Sequence, residues 1–323
     1  MTKMRWPAVT MISAAALFLF CSCSYKPMPP KPHQPGDYAE FMTFKTGVHT
    51  RAYKLHIPPD YAPDQCLPLV VVLHGAFSNA KEISRDTGLN RLADRERFFV
   101  LYPEGIGLLG FLQHWNAEHC CGKAQRDGID DAAFINSAMD DVCARINIDP
   151  DRIYIIGYSN GGMMAYSFAA KYGDKLAAAA VVAGTIGSRP NDRAPMKTIA
   201  APKTAVPIMI IHGVNDAYIP YEGGAATGRK RPESFLSVED CAQFWSSKYL
   251  GVRQAESVDY QGTVHRHVWI DQKQRPVVEV WTLSGWGHDW PGPAKYTEKR
   301  RLPNFDSAEV IWEFFKKHEK NHD

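Results

Sequence analysis

Residues 153–165, reading IYIIGYSNGGMMA, constrain the chain more than any other stretch. The β-branched run 153–156 reads as a buried parallel strand, and the small-residue and Met-rich run 161–166 reads as a helix. Between them lies G-x-S-x-G with Ser159 at its centre. A strand that becomes a helix within one residue leaves no room for a Cβ on either side of the serine, which is why Gly157 and Gly161 flank it. Such a turn strains the backbone at Ser159, lifts its Oγ above the sheet and aims the amide of Asn160 at the same spot. A serine that only N-caps the next helix would need neither glycine.

The chain has 323 residues, 45% hydrophobic and 22% charged, which is ordinary for a soluble globular protein. One large α/β domain after a leader fits that length. A formal net charge of +2 makes no electrostatic case for nucleic acid, and the short basic run 297–301 reads as a solvated loop. The amino terminus carries Lys3 and Arg5, then an apolar run, residues 8–20, too short to span a bilayer comfortably, then Cys21, Ser22 and Cys23. That pattern is a secretory signal over residues 1–23. Its end is similar to a bacterial lipoprotein signal, with Cys23 after the small Ser22 as the lipidation site. Membrane association is expected only through that anchor, and the alternative is simple cleavage and release. Prolines favour polyproline II, so residues 24–37 are expected to be an extended tether and residues 38–323 the folded domain.

Of seven cysteines, Cys21 and Cys23 fall in the leader, which leaves Cys66, Cys120, Cys121, Cys143 and Cys241. An odd number in an oxidising compartment means that at least one thiol stays free or pairs outside the chain. Cys120 and Cys121 follow Trp115 and Asn116 in a loop, and one of them is expected to staple that loop to a neighbour. No second Cys or His pair sits at ligand spacing, so a zinc site is not expected.

Residues 41–44 and 51–57 alternate apolar with polar, as half-buried antiparallel edge strands do. Residues 68–73 and 98–102 are nearly unbroken apolar runs, which implies strands buried on both faces, hence a parallel sheet covered by helices. Residues 132–146 have helical periodicity, with Asp130 and Asp131 in the first turn, where the helix dipole favours them. A paired-carboxylate acid/base site is the sharper alternative, but adjacent residues on a helix point apart. Residues 177–183 and 207–212 are two further strands. Residues 237–249 are a helix with Ser237 and Asp240 at capping-box spacing. Residues 264–270 and 277–283 read as a strand pair, and residues 307–317 as a closing amphipathic helix. The alternation predicts right-handed crossovers and a mostly parallel, doubly wound sheet with helices on both faces, with chemistry at the carboxyl ends of its strands.

A serine hydroxyl is a poor nucleophile until a base takes its proton, so Ser159 requires a histidine within reach and an acid behind it. In folds with the strand-turn-helix serine, the acid and then the histidine follow on loops after later strands. The strand ending at His212 and Gly213 runs into Asp216, which is the expected acid. The strand ending at Leu283 runs into the glycine-flanked His288, the expected base. His212 reads as satisfying a local hydrogen bond, and His114 and His119 stand in the wrong chain order. Asp289 directly follows His288 and is badly placed to orient its neighbour's ring. A metal site built from His212, Asp216 and His288 would leave the Ser159 turn unexplained. The oxyanion calls for two backbone amides: Asn160, after the nucleophile, and either Ala76 or Phe77 in the loop that begins at His74 and Gly75. The aromatics Phe77, Trp115, Tyr158, Tyr218, Trp286 and Trp290 cluster near these loops, and Tyr158, Trp286, Trp290 and Trp115 are expected to form a flat acyl or aryl pocket.

The chain resembles the extracellular esterases grouped with polyhydroxybutyrate depolymerases and feruloyl esterases, of the α/β-hydrolase fold. The matching pieces are VVLHG at 71–75, WNAEHCCG at 115–122, DDAAF at 130–134, GYSNGGMMAY at 157–166, HGVND at 212–216, GHDWPG at 287–292 and FDSAEVIWEFF at 305–315. The resemblance implies a Ser159, Asp216, His288 triad and serine carboxylesterase activity on acyl esters of polymers or plant cell wall; no cofactor and no metal are expected. Ala76 stands where many relatives carry Cys, so a family disulfide there is not expected. No appended polymer-binding domain is visible. A serine peptidase of the same fold is one alternative, although nothing resembles the extra domain such peptidases use for selection. A non-catalytic surface lipoprotein that binds carbohydrate is another, and it would predict a broken constellation. Oligomeric state leaves no signature in the sequence.

Overall fold

The computed structural model describes residues 26–27, 34–43, 50–108, 111–191, 193–228, 233–260, 262–292 and 305–320. The expected signal with Cys23, the strand end at Phe44 and the basic run 297–301 lie outside them.

The central sheet holds eleven strands: β1 (Lys26–Pro27), β2 (Gly36–Thr43), β3 (Thr50–Ile57), β4 (Leu67–Leu73), β5 (Phe99–Pro103), β6 (Ile148–Tyr158), β7 (Ala178–Val182), β8 (Ile208–Gly213), β9 (Arg253–Tyr260), β10 (Val264–Ile270) and β11 (Pro276–Leu283). They lie in the order β1-β2-β3-β5-β4-β6-β7-β8-β11-β10-β9. From β5 to β11 every neighbour is parallel. The antiparallel β2 and β3 flank one side and β10 and β9 the other. The apolar runs explain the centre. β4, β5, β7 and β8 are buried at every position, so the sheet needs helices on both faces.

Alternation along each strand divides the core in two. Leu69, Val71, Leu101 and Ile155 face one way, against the helices Asp131–Arg145, Asn160–Tyr172 and Val238–Ser246. Val70, Val72, Val100 and Ile156 face the other, against Ala80–Thr87, Leu89–Glu96 and Ser307–Phe315. Trp312 stacks on Phe98 at 4.2 Å and Phe315 on Tyr154 at 4.5 Å. Fully burying a large apolar side chain contributes about 1.5–3 kcal/mol, and this second face rests on several. The capping box at Ser237 and Asp240 is present.

Three features depart from the sequence reading. β9 was not expected: its sequence, RQAESVDY, is too polar to announce a strand, and it forms because β10 offers an open edge. The tether contributes to the sheet, with Lys26–Pro27 paired in parallel to Tyr38 and Ala39; Pro is tolerated at such an edge. Cys120 and Cys121 lie side by side, and among the described residues neither meets a cysteine from another part of the chain; Cys66 and Cys143 are exposed and Cys241 is buried. Among the described residues no helix is long and apolar enough to cross a membrane.

Candidate active site

Ser159 stands between β6 and the helix Asn160–Tyr172 with φ 55° and ψ −120°. Its own amide is tied to Val182 O at 2.9 Å. The flanking glycines are required by contact: a Cβ on Gly157 would lie 2.0 Å from Gly161 O, and one on Gly161 would lie 2.3 Å from Leu73 O. Backbone meets backbone there, so nothing can turn aside to make room.

The loops after β8 and β11 bring the other two residues to the same rim. Ser159 Oγ lies 2.8 Å from His288 Nε2, and His288 Nδ1 lies 2.7 Å from Asp216 Oδ2. Asp216 Oδ1 accepts the amides of Tyr218 at 2.8 Å and Ile219 at 2.9 Å. Burial pushes the pKa of this carboxyl up, but the hydrogen bonds from His212 and His288 outweigh it and hold the group well below the ordinary carboxylate range. A permanent anion fixes the imidazole with Nδ1–H toward Asp216, which leaves the Nε2 lone pair facing the hydroxyl. His212 is buried; its Nε2 donates to Ile219 O at 2.8 Å, the local bond expected of it, and stands 3.3 Å from Asp216 Oδ2.

A cavity of about 770 Å³ opens over Ser159, lined among others by Ala76, Phe77, His114, Asn160, Met163, Tyr218 and His288. That size suits a small-molecule or polymer-segment site. Its aromatic wall differs from expectation. Trp115, Trp286 and Trp290 are buried and do not line it. Their rings are large enough to be drawn into the packing beneath the loops, and the Trp286 indole donates to Asp289 O. Tyr158 does not line it either; its hydroxyl donates to His288 O at 2.8 Å and so braces that residue. The exposed rings are Phe77 at 66% and Tyr218 at 48%. Sequence reasoning passed over Met163 and His114 as lining residues. The sequence reading weighs His114 only as a base and Met163, one turn after Ser159, only as part of the helical run; the spacing from Ser159 is the signal that could have found Met163.

Asp130 and Asp131 point apart, as adjacent helical residues must. Asp130 caps the helix by accepting from Ala133 N, while Asp131 is buried against Arg51. Both acids therefore stand at the start of the helix, as the sequence reading expects, and what that reading misses is the ion pair of Asp131. Of the two amides considered in the loop after β4, that of Phe77 donates to Gln113 O at 2.8 Å. His74 anchors this loop. It is fully buried, its Nδ1 donates to Gly75 O at 2.8 Å and its Nε2 accepts the Gly105 amide at 3.0 Å. Among the described residues no group of three or more His, Cys, Asp or Glu side chains is arranged to hold a metal.

Burial pushes the pKa of His74 down to about 4, and that of His119, also buried, down to about 4. The ordinary value is about 6.5, so between pH 4 and 6.5 the unfolded chain binds more protons than the folded one and stability falls as pH drops. Each histidine adds up to about 1.4 kcal/mol per pH unit in that window. Urea unfolding at pH 7, 5.5 and 4.5 is expected to show this loss, and His119→Gln to make it shallower. An unchanged slope in the variant refutes the assignment to His119.

Comparison with known proteins bears on the family and the fold. The family model described as esterase PHB depolymerase matches residues 51–227, more than half of the chain. The chain is 30% identical over 258 residues to the esterase-named protein NocK of Nocardia uniformis subsp. tsuyamanensis, covering 75% of this chain and 71% of that one. It is 28% identical to poly(3-hydroxyalkanoate) depolymerase C of Paucimonas lemoignei, covering 69% of this chain and 55% of the relative. It is 25% identical to feruloyl esterase B of Piromyces equi, covering 72% and 41%. Among solved structures, an acetyl xylan esterase from Aspergillus awamori superposes with a TM-score of 0.59 at 14% identity, covering 86% of this chain and 99% of that one. A ferulic acid esterase from Anaeromyces mucronatus superposes with a TM-score of 0.51 at 13% identity, covering 84% and 90%. The structural likeness establishes the α/β-hydrolase fold; with the matched family model and the sequence relatives, the chain belongs to the esterase PHB depolymerase family of carboxylic ester hydrolases.

Proposed function

We propose that the protein is a secreted serine carboxylesterase working through an acyl-enzyme, held to the cell envelope by a lipid on Cys23. The observation that carries the mechanism is the unbroken hydrogen-bonded line from Ser159 Oγ through His288 to Asp216 at the floor of an open cavity. Ser159 Oγ attacks the ester carbonyl while His288 Nε2 takes its proton. His288 then gives that proton to the departing alcohol oxygen, leaving the acyl group on Ser159. Water, deprotonated by the same imidazole, attacks the acyl-enzyme and releases the acid with Ser159 restored. Asp216 keeps the ring in the required tautomer and stabilises its charge. The amide of Asn160 meets the oxyanion together with that of Ala76, since the Phe77 amide is already committed to Gln113 O. The basic and apolar amino-terminal segment ending at Cys23 supports export and anchoring.

The relatives and the cavity support a substrate class. Two of the sequence relatives named above act on hydroxyalkanoate polyester or feruloyl esters by their names, and Phe77, Met163 and Tyr218 give an apolar wall for an acyl chain or aryl ring. A panel of p-nitrophenyl acetate, methyl ferulate, 3-hydroxybutyrate oligomers and a peptide amide tests the reading. Hydrolysis of at least one ester at about 1–10³ s⁻¹ with an inert amide is the expected result, and the preferred acyl group assigns the class. Cleavage of the amide in preference to every ester would replace the esterase with a peptidase.

A further inference from the structure

Two motifs have no role in the proposed chemistry: WNAEHCCG at residues 115–122 and DDAAF at residues 130–134. A buried ion pair joins them. Arg51 and Asp131 are 2% and 1% exposed, Arg51 Nη2 donates to Asp131 Oδ1 at 2.7 Å, and the guanidinium lies 3.9 Å over the Phe134 ring. Asp131 Oδ2 accepts the backbone N–H of Asn116 at 2.7 Å. Desolvation offsets most of the attraction in such a pair, so its contribution to net stability is small. What it supplies is direction, because a carboxylate that cannot turn to water holds that N–H in one place.

The residue before Asn116 is Trp115, which is fully buried. Its main chain clamps the side chain of Asn160: Trp115 N–H donates to Asn160 Oδ1 at 2.8 Å, and Asn160 Nδ2 donates to Trp115 O at 3.1 Å. Its indole N–H donates to His74 O at 2.9 Å. Asn160 and the loop beginning at His74 are the two segments assigned above to the oxyanion. They follow different strands, β6 and β4, and Trp115 is bonded to both.

We propose that Trp115, seated by the Arg51–Asp131 pair through Asn116, is a positioning residue that sets the two halves of the oxyanion hole at their working separation. The proposal rests on the esterase reading of Ser159. Donor amides must lie about 2.7–3.1 Å from where the oxyanion forms, and a misplacement of about 1 Å can cost about 10²-fold in rate. Trp115 touches no reacting atom; it acts through Asn160 and His74.

Trp115→Phe removes the indole bond and keeps the main-chain clamp. Asn160→Ala removes the clamp and keeps the amide, and Asp131→Asn loosens the seat from a distance. Active sites are counted by fluorophosphonate titration, and kcat per titrated site and KM are measured on p-nitrophenyl acetate. A trifluoromethyl ketone, whose serine adduct carries an oxyanion, reports on the hole directly. Trp115→Phe and Asn160→Ala are each expected to lose about 10- to 100-fold in kcat per site and the same factor in ketone affinity, with KM within about twofold. Asp131→Asn is expected to lose a smaller factor of the same kind. A tryptophan that only fills the core would lower Tm and the number of titratable sites while kcat per site stayed within about twofold in both near variants, and that result overturns the proposal. If Asp131→Asn does not fold, the other two variants decide. Failure of the esterase reading looks different: the native chain would leave every ester intact and take up no fluorophosphonate, and the proposal would fall with it.

Discussion

Ser159→Ala and His288→Ala are each expected to lower kcat on p-nitrophenyl acetate by roughly 10⁶, and the double variant to lower it no further. In the proposed mechanism the two side chains share one step. At 2.8 Å the imidazole takes the proton as the hydroxyl attacks; without the base the hydroxyl stays a neutral alcohol, and without the hydroxyl the base has nothing to activate. The loss corresponds to about 8 kcal/mol of transition-state stabilisation. The fold should be indifferent. Alanine keeps the Cβ that Ser159 already fits between the flanking glycines, and the His288 side chain is 15% exposed at the cavity. Steady-state kinetics beside thermal unfolding checks both halves. Losses that multiply in the double variant would mean that the pair does not act as a unit, and a single-variant loss under about tenfold would remove Ser159 or His288 from the reaction.

How much could be read before the coordinates depends on how local each cause is. The turn at Ser159 is local: two glycines that admit no Cβ and an apolar run on each side specify it within thirteen residues. Asp216 and His288 lie far along the chain from it, yet chain order located them, because a doubly wound sheet delivers every strand's carboxyl end to one rim. The strands buried on both faces were legible for a similar reason, since β4 and β8 have no polar position to mislead. What was not legible depends on three-dimensional context. β9 is polar along its length and exists only because β10 has a free edge. Asp131 and Arg51 are eighty residues apart, and nothing in either neighbourhood announces that they meet. The tryptophans near the loops were read as a substrate wall by proximity alone. Burial favours the largest apolar rings, so Trp115, Trp286 and Trp290 went inward and left Phe77 and Tyr218 at the opening.

Asp216→Asn should lower kcat by about 10⁴ with KM nearly unchanged, and should do so without disturbing the loop. The expectation follows from how the carboxylate is held. Oδ1 accepts two backbone amides, from Tyr218 and Ile219, and an asparagine would keep its carbonyl oxygen there because only an acceptor fits. Its NH₂ is then forced into the place of Oδ2, facing His288 Nδ1 at what is now 2.7 Å. A donor opposite Nδ1 selects the other tautomer, with the proton on Nε2, and an N–H aimed at Ser159 Oγ cannot accept a proton from it. His212 Nε2, 3.3 Å from the same Oδ2, also loses its anionic partner, which costs some stability but leaves its bond to Ile219 O. Asp216→Ala is the informative contrast: the imidazole there is free to take either tautomer, so kcat should fall less steeply than in Asp216→Asn, while the loop loses both amide bonds and Tm drops further. Asp216→Asn retaining activity within about tenfold of the native enzyme would show that another group orients the ring, and the role assigned to Asp216 would be wrong.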